Sequence, residues 1–182
     1  MPRPSNRNRL LDAAEARLLE HGPRGLVLDA IAADAGVSKG GLLYHFPSKE
    51  ALASALVKRM VEGFDAEQAR LTGGDARAAG RRTRAYLRST VTPEGEPADH
   101  SAALMAGILA GMGAERERLG ALHAAFARWQ EQLEDDGIDP VRATLVRLAA
   151  DGLWLSALLG LPSIDKTLAL DVLAALEELA RE

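Results

Sequence analysis

Residues Asp29 to Leu52, DAIAADAGVSKGGLLYHFPSKEAL, decide the reading of this chain. The first part has the apolar periodicity of a helix at Ile31, Ala32 and Ala35, and Gly36 follows, able to enter the left-handed conformation that ends a helix. Val37 can plug the angle, and Ser38 can cap a second short helix. Ser48, after Pro47, can cap a third. Two short helices about a tight turn with another starting behind them is the layout of a helix-turn-helix DNA reader.

The second of these helices, Lys39 to Phe46, carries Gly40 and Gly41 at its leading end. Each glycine costs about 1 kcal/mol relative to alanine inside a helix. A recognition helix points its leading end into the major groove, where a residue without a side chain lets the backbone approach bases or phosphates. Lys49 stands in the first turn of the following helix, where a cation opposes the helix dipole. A phosphate bound there would be favoured by dipole and lysine together, so Lys49 reads as a phosphate clamp.

The segment GVSKGGLLYHFPSKEAL, Gly36 to Leu52, resembles the tetracycline-repressor-like (TetR/AcrR) family of transcription regulators. The resemblance covers about the first fifty residues and implies a three-helix DNA-binding domain there. It implies that Ser38, Lys39, Gly40, Leu43, Tyr44 and His45 face DNA, that Leu42 and Phe46 are core, and that Lys49 holds a phosphate. The spacing agrees, since Leu42 and Phe46 share one helix face and Lys39 and Leu43 another. Two departures from the family's pattern matter. Leu43 stands where tyrosine is common, offering an aliphatic contact suited to a thymine methyl. Val27 and Leu28 stand where threonine often begins the second helix, leaving Asp29 as the expected cap, an acid that would repel phosphate if it faced DNA.

At 182 residues and 47% apolar composition the chain is long enough for one or two compact domains with a real core. Alanine and leucine dominate and no segment alternates with period two for long enough to make a strand, so the expected fold class is all-α. The absence of cysteine suits a reducing cytosol. No signal peptide or membrane-spanning stretch is legible, and a cytoplasmic location is expected. The net charge is −4, yet through Pro47 six basic residues stand against five acids, with Arg3, Arg7 and Arg9 clustered where they could reach phosphates.

Nine helices are expected. The first is capped by Ser5 or Asn6 and ends at His21 and Gly22; the second and third run over 29–35 and 39–46, the fourth from Lys49 to near Leu71. The fifth is expected over Asp75 to Val91, the sixth from an Asp99 cap to Gly111, and the seventh from Glu115 to Asp136. The eighth starts at Asp139-Pro140, a cap followed by proline at the first helical position, and ends near Gly160; the ninth covers Lys166 to Arg181. The expected organisation is a DNA-binding domain over 1–47, a connecting helix over 48–71, and a ligand-sensing and dimerisation domain over 72–182.

In the second half, Met105, Ile108, Leu109 and Met112, with Phe126, Trp129 and Trp154, could line an adaptable apolar pocket, although their spacing is equally that of plain core. His100 and His123 could add polar contacts but read more simply as rim residues. The last two helices carry broad apolar stripes. Leu148, Leu155 and Leu159 with Leu168, Val172 and Leu176 could form a four-helix seam with a second copy, which a two-fold DNA reader requires. Arg77, Arg81, Arg84 and Arg88 make a basic stripe expected to be solvated or paired. No G-x-S-x-G, H-E-x-x-H or phosphate loop occurs, and the four histidines lack metal spacing, so no enzyme, cofactor or metal is expected. The expected function is a repressor that binds a palindromic operator in double-stranded DNA as a homodimer and is released by a small hydrophobic effector. The alternative is an effector-free or protein-regulated DNA-binding protein of the same fold.

Overall fold

The computed structural model describes residues 5–92, 96–112, 119–162 and 164–181, with the Met112 side chain left aside. Among the described residues the fold is all-α with nine helices, and the only extended pairing is an isolated antiparallel bridge between Val91 and Pro97. In order, α1 is Asn6–His21, α2 Leu28–Asp34, α3 Lys39–His45, α4 Lys49–Gly74, α5 Arg81–Thr90, α6 Ser101–Met112, α7 Gly120–Glu134, α8 Pro140–Leu158 and α9 Lys166–Leu179; a 3-10 turn, Gly22–Gly25, links α1 to α2.

Local chemistry sets most of these starts. The Ser5, Ser38 and Ser48 hydroxyls accept from the amides of Asn8 (3.3 Å), Gly41 (3.1 Å) and Ala51 (3.2 Å). The Asp139 and Asp165 carboxylates accept from Val141 (2.7 Å) and Thr167 (2.9 Å). Each such cap is worth about 1 kcal/mol. Gly36 ends α2 at φ +61° as expected.

Two compact units result. One takes the chain up to Met60 together with Ala103–Leu122, the other Val61–Ala102 together with His123–Glu182, so α4, α6 and α7 contribute residues to each. The first unit buries Leu10, Leu11, Leu18, Ile31, Leu42, Phe46, Leu52 and Leu56, together with Met105 and Ile108 of α6. Full burial of side chains this size contributes about 1.5–3 kcal/mol each.

The second unit corrects one expectation. Residues 75–80 are not helical: Gly80 sits at φ +72°, where an added Cβ would lie 2.0 Å from the Ala180 carbonyl oxygen, and α5 begins only after it. Its start is capped from afar by buried Asp136, which accepts from the Arg82 amide (3.1 Å) and from the Thr83 amide and hydroxyl (2.8 Å each). The basic stripe is paired in part, one of the two states expected of it. Arg84 is 3% exposed, its guanidinium paired with Asp75 at 2.7 Å and donating to the carbonyls of Ala79, Ala180 and Arg77. That guanidinium and the Arg77 amide hold the Asp75 carboxyl down to about 2. The expected start of α7 at Glu115 lies outside the described residues.

Candidate DNA interface

The turn between α2 and α3 is held by side chains as well as by glycine. Arg9, on α1, donates to the carbonyls of Ala35 and Gly36, supplying positive charge at the carbonyl-rich end of α2. Arg17 donates to Gly25 O (3.2 Å) and pairs with Asp34 (2.8 Å), while Arg59 of α4 bridges Asp12 and Glu15 of α1. These bonds tie α2 and the turn after it to α1, and α4 to α1. They also redirect a residue that sequence reasoning counted toward phosphates: Arg9 is spent on the turn. Arg7 lies 5.4 Å from the Phe46 ring centroid, and Arg3 lies outside the described residues.

Along α3, buried and open positions alternate as the spacing requires. Leu42 and the capping Phe46 are buried, whereas Ser38, Lys39 and Gly40 are exposed, Leu43 is 38% and Tyr44 84% exposed. An aromatic ring left this open on a short helix buries little of its surface within the chain. His45 is half-buried and meets the Tyr44 ring edge-on at 5.2 Å. The two glycines differ. A Cβ on Gly40 would meet nothing within 4 Å, whereas one on Gly41 would stand 2.8 Å from Val37 Cγ1. Gly41 is therefore explained by packing inside the turn, and Gly40 by nothing inside the chain. Lys49 sits half-buried in the first turn of α4 behind the Ser48 cap.

Asp29 is not the cap of α2. Val27 occupies that position without a side-chain bond, and Asp29 lies in the first turn with its carboxylate 2.9 Å from the Lys39 ammonium. The partners stand ten residues apart with most of α2 and the turn between them, so no local pattern joins them.

The candidate pocket residues divide between the two units. Met105 and Ile108 are buried and Leu109 half-buried in the first unit; the Met112 side chain lies outside the described residues. Phe126 and Trp129 belong to the second, their ring centroids 5.2 Å apart, in a cluster with Phe64 and Tyr86. The Tyr86 hydroxyl donates to Asp151 at 2.6 Å, and burial pushes the ionisation of both groups up. Trp154 donates to the Ser101 hydroxyl at 2.8 Å and lines a cavity of about 430 Å³ with Val91, Pro97, Ala157, Leu161 and Ile164. Of the other expected pocket residues, none of the described side chains lines that cavity. His100 and His123 are exposed.

Of the expected seam residues, Leu148, Leu155 and Leu159 and, in α9, Leu168 are exposed. Val172 is half-buried, and Leu176 is buried within its own unit, so it has little surface to offer a second copy. Leu145 and Val141 extend the open apolar face of α8. Among the described residues, no helix is long and apolar enough to cross a membrane, and no cluster of His, Cys, Asp or Glu could hold a metal.

Two family models match the chain. The tetracyclin repressor-like C-terminal domain matches residues 80–181, and the tetR family of bacterial regulatory proteins matches residues 10–56. The HTH-type transcriptional regulator RutR of Escherichia coli (strain K12) is 45% identical over 53 residues, 29% of this chain and 25% of RutR, so the match spans a quarter of that relative's length. A TetR-family transcriptional regulator from Rhodococcus sp. superposes with a TM-score of 0.71 at 21% identity, over 97% of this chain and 99% of its own. The multidrug binding protein EbrR, complexed with malachite green, superposes with a TM-score of 0.61 at 27% identity, over 95% of this chain and 98% of its own.

Proposed function

The chain belongs to the TetR family of transcriptional regulators, and from that membership we propose that it is a homodimeric repressor of a palindromic operator, released when a small hydrophobic molecule binds its C-terminal half. The observation that carries the reading is the leading end of α3. Ser38, Lys39, Gly40, Leu43 and Tyr44 are open together on a helix whose opposite side, Leu42 and Phe46, is locked into the core. In this reading Lys49 grips a phosphate while Lys39 and Leu43 meet base edges.

A single helix of seven residues reads only a few base pairs, so selectivity calls for two copies, with half-sites about 34–36 Å apart. The open leucines of α8 and α9 supply the surface for that pairing. Release follows if the effector binds one conformation better than the other. Because α4 carries residues of both units, a change in its tilt would alter the spacing of the two α3 helices and mismatch them to successive grooves. The Trp154 cavity, and the small organic molecule held by EbrR, support an effector of this kind. A regulator without a small-molecule effector is the second reading, favoured by the burial of Met105 and Ile108 as ordinary core.

Selection of bound fragments from a random duplex pool tests the first reading. Enrichment of an inverted repeat supports it, and no enrichment at moderate salt refutes it. Thermal shift with a panel of hydrophobic small molecules then separates the two readings, since stabilisation by none of them leaves the effector-free protein.

A further inference from the structure

The ion pair between Asp29 and Lys39 places a negative charge on the face that the proposed function turns toward DNA. Asp29 stands in the first turn of α2 and Lys39 is the first residue of α3. The ammonium lies 2.9 Å from Oδ1 and 3.1 Å from Oδ2, so both carboxylate oxygens are engaged. The side chains are 66% and 64% exposed, so the pair does not serve the core and is free to exchange partners. The helix dipole favours the acid at its position and disfavours the lysine at its own. The two charges cancel, and Lys39 adds nothing to the long-range attraction of a polyanion until the pair opens.

The two kinds of DNA acceptor would affect this pair differently. A phosphate that takes the ammonium brings its own negative charge toward the Asp29 carboxylate, and the two anions repel. Guanine O6 and N7 are neutral, and an ammonium has three N–H donors, so Lys39 can bond a base edge and keep Asp29 at the same time. We infer that Asp29 is a specificity-determining residue, holding the Lys39 ammonium away from phosphates while leaving it available to a neutral base edge, so that binding to random duplex is suppressed. The inference rests on the proposed DNA-binding reading and deepens it.

The experiment measures the affinity of the full chain for its selected duplex and for random duplex across a series of salt concentrations, in wild type and Asp29→Asn. Freeing one lysine per protomer raises random-duplex affinity by roughly 3- to 30-fold in a dimer and steepens the slope of log K against log salt by about 0.9 per protomer. Affinity for the selected site changes less than threefold, so discrimination falls. Asp29→Ser behaves alike, and in a Lys39→Ala background Asp29→Asn causes no loss of discrimination of its own, raising selected and random duplex affinity by the same factor as the bare anion is removed. Asp12→Asn, which removes the same charge beside Arg59, leaves discrimination unchanged. Unchanged random-duplex affinity in Asp29→Asn, an equal gain on both duplexes, or the same loss of discrimination in Asp12→Asn overturns the inference alone. A wild-type chain that selects no duplex removes the DNA-binding reading itself, and the inference falls with it.

Discussion

Gly40→Ala should stabilise the protein and damage its function together. Gly40 is the second residue of α3 at a negative φ, and an added methyl would meet no atom of the chain within 4 Å. Alanine there recovers up to about 1 kcal/mol of helix propensity, at no steric cost. For a chain of this length that raises the unfolding midpoint by about 2–4 °C. On DNA the same methyl would stand where the backbone approaches the groove, with a loss of about 1–3 kcal/mol per half-site, comparable to a base contact, or roughly tenfold or more in affinity. Gly41→Ala is the internal contrast. Its methyl would press on Val37 Cγ1 at 2.8 Å and on Ser38 Oγ at 3.3 Å, so strain in the turn offsets the propensity gain and stability does not rise. Thermal unfolding and fluorescence anisotropy with the selected duplex read the two effects separately. A Gly40→Ala protein that is more stable and binds its duplex unchanged would show that the leading end of α3 does not meet DNA, and the interface would have to be sought elsewhere.

Other substitutions probe the remaining parts. Lys49→Ala should weaken selected and random duplexes by similar factors, whereas Lys39→Ala and Leu43→Ala should change sequence preference in a repeated pool selection; equal losses on all sequences from all three would contradict the division between phosphate and base contacts. Arg9→Ala removes the donor to the Ala35 and Gly36 carbonyls and should cost about 1.5 kcal/mol, the lower end for bonds to a charged group, seen as a lower urea midpoint. Asp75, held near 2 against an ordinary 3.8, stabilises the fold while it is ionised. Its contribution is therefore complete above about pH 4 and is lost as the pH falls through 2; the wild-type urea midpoint should decline across that window more steeply than that of Asp75→Asn.

The sequence showed the reader almost whole because its signals are local. Ser38, Ser48, Asp139 and Asp165 cap helices that begin within three residues of them, and Gly36 takes the left-handed turn that its place after Ala35 demands. What escaped were bonds between distant positions. Arg9 reaches carbonyls 26 and 27 residues away, and Asp136 caps α5 across 53 residues. No window of periodicity contains both partners. The run 75–80 carried helical propensity, but the close approach of Gly80 to the Ala180 carbonyl overrode it. The apolar stripes were legible as stripes only. Which side faced the core required the fold, which buried Leu176 and left Leu155 and Leu159 open.

The claim on which the rest depends is that two copies grip one duplex. Sedimentation of the chain with its selected duplex, alongside a Leu155→Glu/Leu159→Glu variant that charges the open face of α8, measures it directly. Two wild-type protomers per duplex are expected, with the variant sedimenting as a monomer that no longer holds the site at the same concentration; a single protomer on the duplex, or a variant that binds as well as wild type, refutes the paired grip.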